Sequence, residues 1–192
     1  MFFGTRFFAG LFIGAVAGAL LVVFVVPQTH MSGFVNRTSG PLVGREEGVT
    51  RSAQEGKLRY THPKHHFSLE FPQELAIGRF TEGLDSETVV FQKPGEESSF
   101  QIFVTPYKQT EITEERLQKD LQGSTFEEPV EVMIGAREDV RAVIFFSEHP
   151  TLGRLREVWF IHDGFLYEVA ARAELDLWLA EILKTWTFED QT

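Results

Sequence analysis

The sequence predicts an α+β fold: a mainly antiparallel β-sheet covered by two helices, an α/β/α sandwich, preceded by one N-terminal transmembrane helix. Three observations predict it. Short alternating segments joined by turn residues recur from residue 58 onward, two separate stretches carry helical signals, and the helix-linked crossovers of a parallel sheet are too few. Ahead of them stands a long uninterrupted apolar run.

That run comes first in the chain. After a short tail, residues 1–6, residues 7–26 read FFAGLFIGAVAGALLVVFVV, 20 in succession without a charge. As a helix they span about 30 Å, the thickness of a bilayer core. An amphipathic core helix would show polar residues at helical spacing, and this run has none. A cleaved signal peptide would have a shorter apolar region ending in small residues, whereas this one ends VVFVVP. Gly10, Gly14 and Gly18 fall four apart on one helical stripe, where two such helices could approach closely and form a homodimer. The counter-reading is that glycine is common in membrane helices. The short tail with Arg6, and the acidic domain that follows, orient the N-terminus inside and the domain outside a bacterial cytoplasmic membrane.

Residues 27–55 read as a flexible linker, rich in Gly, Ser, Thr and Arg and lacking any period. A coil of that length spans about 30 Å on average. The domain is then residues 56–190. LRYTH and FSLEF are strands, the second alternating Phe67, Leu69 and Phe71 with Ser68 and Glu70 until Pro72 stops it. SETVVFQ and SFQIFVTPY flank the turn pair Pro94-Gly95 and form a hairpin. TEERLQKDLQ is a helix with Thr113 as N-cap, acids in its first turn and Gly123 beyond its end. VEVMIG, VRAVIFFSE and RLREVWFIH are strands, and Asp163-Gly164 joins the last to FLYEVAA in a two-residue hairpin. The second helix, AELDLWLAEILKTW, places Leu175, Trp178, Leu179, Ile182 and Leu183 on one face. The chain then runs out at TFEDQT.

Composition narrows the function. The formal charge is −10, and residues 1–55 contribute four arginines against three glutamates, so the domain carries the whole deficit. The acidic balance argues against nucleic acid and anionic lipid surfaces, which need a basic face, as partners of the domain. There are no cysteines, hence no disulfide and no lipid-modified cysteine anchor. The 19 phenylalanines suit strands covered on both faces, one by each helix; an aromatic patch left exposed would mark a partner site.

The most suggestive polar cluster is HPKHH, with His62, His65 and His66 within five residues. Three imidazoles could ligate a metal, with His149 and Glu148 or His162 and Asp163 completing the site. No defined spacing such as H-E-x-x-H is present, and a solvated turn bent by Pro63 accounts for the same residues. Nucleophilic catalysis has no motif: there is no G-x-S-x-G and no S-x-x-K, and Ser68 and Ser147 read as outward-facing. The pairs Glu96-Glu97, Glu114-Glu115 and Glu127-Glu128 read as solvated acids. No cofactor is expected.

Three segments together carry a resemblance. They are Y-x(6)-F-S-L-x-F-P (Tyr60, Phe67, Phe71, Pro72), EVWFIHDGFLYEVAA (Glu157, Trp159, Gly164, Tyr167) and ILKTWTF (Ile182, Leu183, Thr185, Phe188). Over residues 58–188 the chain resembles the PsbP-like group of α/β/α sandwich domains, which includes the extrinsic photosystem II protein and many small bacterial lipoproteins. The resemblance implies a non-enzymatic binding or assembly domain at a membrane surface, with a protein partner in the membrane or envelope. A transmembrane anchor replaces the lipoprotein cysteine here, and no photosynthetic signature is present, so a photosystem role does not carry over. The alternative class is a metal-dependent or hydrolytic envelope enzyme using the His62/His65/His66 region.

Overall fold

The computed structural model describes residues 47–189, apart from 83–84, 95–98, 122 and 151. The predicted membrane span with Gly10, Gly14 and Gly18, most of the linker, and Glu96-Glu97 lie outside the described residues. Among the described residues, no helix is long and apolar enough to cross a membrane.

In chain order the strands are β1 (Val49–Arg51), β2 (Lys57–Thr61), β3 (Phe67–Pro72), β4 (Ala76–Glu82), β5 (Ser86–Gln92) and β6 (Ser99–Pro106). Helix α1 (Glu114–Asp120) follows, then β7 (Thr125–Phe126), β8 (Val130–Ile134), β9 (Val140–His149), β10 (Gly153–His162) and β11 (Phe165–Arg172). A single 3-10 turn, Ala173–Leu175, leads into α2 (Asp176–Leu183), and β12 (Thr187–Phe188) closes the domain. The expected mainly antiparallel architecture with two helices is the one observed.

The strands divide into two sheets rather than one. A small sheet runs β1-β2-β3-β12, and a large one runs β4-β5-β6-β11-β10-β9-β7, with β8 also paired to β9. The division follows from where side chains are buried. Tyr60, Phe67, Leu69 and Phe71 of the small sheet meet Phe91, Ile102, Phe160 and Tyr167 of the large one, joined by Leu179, Ile182 and Leu183 of α2. Trp186 stacks on Phe67, ring centroids 4.5 Å apart, and stands edge-on to Phe160 at 5.0 Å. On the opposite face of the large sheet, Leu117 of α1 packs with Tyr107, Phe145, Trp159 and Leu166. Each face therefore has a helix, as the aromatic strands require, and the small sheet shares its face with α2.

Local signals explain several elements. Thr113 Oγ1 accepts the amide N–H of Arg116 at 3.2 Å, satisfying a donor that the first turn of α1 leaves free, while Glu114 and Glu115 favour its positive end. Asp163 and Gly164 both have positive φ, 46° and 76°, and their neighbours His162 and Phe165 are paired, the geometry a two-residue hairpin demands.

Several elements depart from expectation, the two-residue β7 on the rim of β9 among them. β1 lies inside the stretch read as linker: Val49 pairs with Tyr60, and Gly48 enters at φ +90° with a Cβ position only 2.1 Å from the Thr61 carbonyl oxygen. Only glycine fits there, so the ordered domain begins before residue 56. β4 was not expected because Gly78 interrupts its pattern; the Phe80 ring lies over that glycine, 3.1 Å from where a Cβ would stand. β12, from the tail TFEDQT, pairs Phe188 with Phe67.

Candidate functional site

The histidine segment forms the β2–β3 connection. Pro63 has no N–H to continue a ladder, and the chain instead closes a turn in which the His66 N–H donates to the His62 carbonyl at 3.0 Å. The His62 side chain caps that turn from within: its Nδ1 accepts the amide N–H groups of Lys64 and His65 at 3.2 and 3.0 Å. A solvated turn is therefore not what forms. His62 is fully buried and His65 nearly so, His62 stacked on Phe67 and His65 edge-on to Phe165. His66 is only half-buried, has φ 51°, and contributes its carbonyl to the Glu189 N–H.

What draws the two imidazoles inward is Glu87 on β5. His62 Nε2 lies 3.2 Å from its Oε2 and His65 Nε2 lies 2.9 Å from its Oε1. These are close contacts rather than well-aligned hydrogen bonds. Arg79, across the β4–β5 ladder, adds a guanidinium 3.3 Å from Oε2. Burial alone would raise the Glu87 carboxyl, but contacts from His62, His65 and Arg79 outweigh it and hold the group well below the usual carboxylate range. Burial lowers His62, and the neighbouring Glu87 only partly offsets this. The site is thus an ionised carboxylate held between two imidazoles and a guanidinium.

The same geometry bears on metal binding. Ligand atoms of His62, His65 and Glu87 lie within 4.8 Å of one another, close enough to surround a cation. Yet a nitrogen accepting two amide N–H groups carries no proton, so the His62 proton sits on Nε2, facing Glu87. Binding a metal through Nε2 would require that proton to leave. Neither His149 nor His162 joins the cluster: His162 stacks on Phe188 at 3.5 Å and contacts Asp163 at 3.4 Å.

A second ionisable cluster, absent from the sequence expectations, lies between α1 and the large sheet. Glu157 on β10 accepts hydrogen bonds from Ser147 Oγ at 2.9 Å and Trp159 Nε1 at 3.1 Å. Ser147 is therefore buried and engaged rather than outward-facing; Ser68 is likewise buried, beside Thr61 at 3.1 Å. On the adjacent strand Glu168 faces Asp120, the last residue of α1, and Arg116 one turn earlier contacts both, the Glu168 oxygen at 3.6 Å. Burial raises all three carboxyls above their ordinary values, and Glu168, next to the charge of Asp120, is raised furthest. One signal could have found this cluster. FLYEVAA is apolar on both faces around a single glutamate, and a strand covered on both sides leaves that side chain nowhere to go but inside. By contrast Glu114, Glu115, Glu127 and Glu128 are exposed, as expected.

A third feature is on the surface. Between β8 and α2 a groove of about 260 Å³ is lined by Val132, Ile134, Ile144, Val158, Leu179 and Leu183. Among the described residues β8 pairs with β9 alone, which leaves its other edge open, and it exposes Val130 and Met133.

These features define a class: a layered α+β domain whose buried ionisable residues serve a turn and a helix, with an apolar groove beside an open strand edge. No family model and no curated protein matches the chain. Among solved structures it is similar to the solution structure of cyanobacterial PsbP (CyanoP) from Synechocystis sp. PCC 6803, with a TM-score of 0.47 at 13% identity, covering 78% of this chain and 100% of that one.

Proposed function

We propose that the chain is a single-pass, membrane-anchored, non-enzymatic protein whose extracytoplasmic domain binds a protein partner in the membrane or envelope. Residues 7–26 supply the anchor, and the short tail with the acidic domain that follows orients the N-terminus inside. The observation that carries the binding role is β8: an open edge with exposed Val130 and Met133 beside an apolar groove suits an extended apolar segment of a partner, added to the sheet as a further strand. The acidic domain disfavours a nucleic acid or an anionic lipid surface in that place.

Co-purification of the full-length protein from membranes tests this reading. A stoichiometric partner that is lost when Val130 and Met133 are both changed to Glu supports it. Both side chains are more than half exposed, so the changes leave the fold intact. A partner retained by that variant, or no partner together with measurable turnover, defeats it.

The convergence of His62, His65 and Glu87 favours a second reading, a metal-dependent or hydrolytic enzyme. Stoichiometric zinc by elemental analysis of untagged protein would support that reading, and sub-stoichiometric metal would remove it. Pairing of two anchors through Gly10, Gly14 and Gly18 is a separate proposal: Gly14→Ile should weaken association in a membrane dimerisation assay.

A further inference from the structure

We propose that α1 is a proton-controlled cover over the outer face of the large sheet, closed while Glu168 and Asp120 share a proton and released when that proton leaves. The geometry beneath the helix carries this. Glu168 and Asp120 are only 3% and 8% exposed, and none of their carboxyl oxygens has a hydrogen-bond partner among the described residues apart from what they offer each other and Arg116. Charges face this pair from each element packed on it. From α1 come Arg116 and Lys119; from β10 comes Glu157, already engaged by Ser147 of β9 and by Trp159. From the segment after β6 comes Tyr107, whose ring lies 5.2 Å from the Arg116 guanidinium and whose hydroxyl donates to Gln109 and to the Glu111 carbonyl. Two carboxyls thus share one half-buried guanidinium, with Glu157 a third acid nearby.

With Arg116 and Asp120 ionised and Glu168 neutral, the Glu168 O–H donates to Asp120 and the three groups together carry no excess charge. When Glu168 loses the proton, two carboxylates stand side by side out of water with one cation between them, an arrangement that low dielectric makes unfavourable. β11 cannot move to relieve this, because it is paired along its length with β6 and β10. α1 can. It has seven residues and buries only Leu117 and Asp120. Lifting it returns Asp120 and Glu168 to water and uncovers Trp159, Phe145 and Leu166.

The direction with pH follows. Both acids are raised above their ordinary values of 3.8 and 4.5, so closure is fully favoured below those values and is lost as pH rises through the raised ones. Amide hydrogen exchange on the full chain in detergent, expressed as protection factors for residues 114–121, reads the cover directly. From about pH 5 to about pH 9, α1 protection should fall about tenfold or more while β10 and β11 hold theirs. In Glu168→Gln the amide donates to Asp120 without titrating, so α1 protection should stay flat. If the wild-type chain shows no selective loss, or Glu168→Gln shows the same loss, the proposal is overturned. Should Glu168→Gln fail to fold, Asp120→Asn, whose amide can donate to Glu168, decides by the same criterion.

Discussion

The two faces of the large sheet each bury an acid at nearly the same depth and treat it oppositely. Glu87, on the face shared with the small sheet, is 6% exposed and held well below the usual carboxylate range; Glu168, on the face under α1, is 3% exposed and pushed well above it by burial and by Asp120. Depth therefore does not decide the charge state. What differs is the company: one carboxylate among two imidazoles and a guanidinium on the first face, two carboxyls sharing a single guanidinium on the second. The local ratio of donors to acids sets which protonation state a buried group adopts.

The contrast breaks most sharply on deletion of the acid. Glu87→Leu leaves His62, His65 and Arg79 without their carboxylate and should cost about 3–5 kcal/mol in urea unfolding at neutral pH. Glu168→Leu removes the surplus acid from an overcrowded site and should cost far less, or stabilise, in the same experiment at pH 8. Equal losses would show that the two sites do not differ as described. The pH profile of stability sharpens the point. His62 is lowered from 6.5 and Glu87 from 4.5, so their contributions are present above those values and drain away as pH falls through the lowered ones, giving an acid limb. The carboxyls under α1 give a limb of the opposite slope, and Glu168→Gln should flatten that limb alone. Each limb should amount to about 1–3 kcal/mol in denaturant midpoints converted to free energy. A smaller effect, about 1–2 kcal/mol, is expected of Ser147→Ala, which deletes one of the two donors to buried Glu157. Smallest is Asp176→Ala, outside both clusters: it removes a forked pair with Arg156 at 2.6 and 3.0 Å near the surface and should cost about 0.5–1 kcal/mol by the same unfolding assay.

Legibility in the sequence follows the same division between local and distant. The Asp163-Gly164 hairpin and the Thr113 cap were readable because their chemistry is complete within a few residues. β1 and β12 were not, since three and two residues carry no period and exist only through pairing with β2 and β3. The histidines were visible as a cluster, but their burial depends on Glu87, more than twenty residues further on, which nothing near HPKHH announces. The acid cluster under α1 draws Asp120, Glu157 and Glu168 from three elements, so its members look like three ordinary charges along the chain. Trp159 and Glu157 stand in the motif that carried the family resemblance, and the indole N–H on the buried carboxylate gives that motif a physical reason.

The glycine at position 48 has a consequence for any shortened form of the protein. It admits β1, a three-residue strand bearing Thr50 and Arg51 at the surface, and β1 in turn shields the longer rim of β2. Short, charged edges resist stray pairing, whereas longer ones invite it. A chain trimmed to begin at Ser52 would trade the first kind of rim for the second, and self-association in solution is the expected symptom. The first strand of the domain thus acts as its selvedge, the finished border that keeps a woven sheet from joining its neighbours.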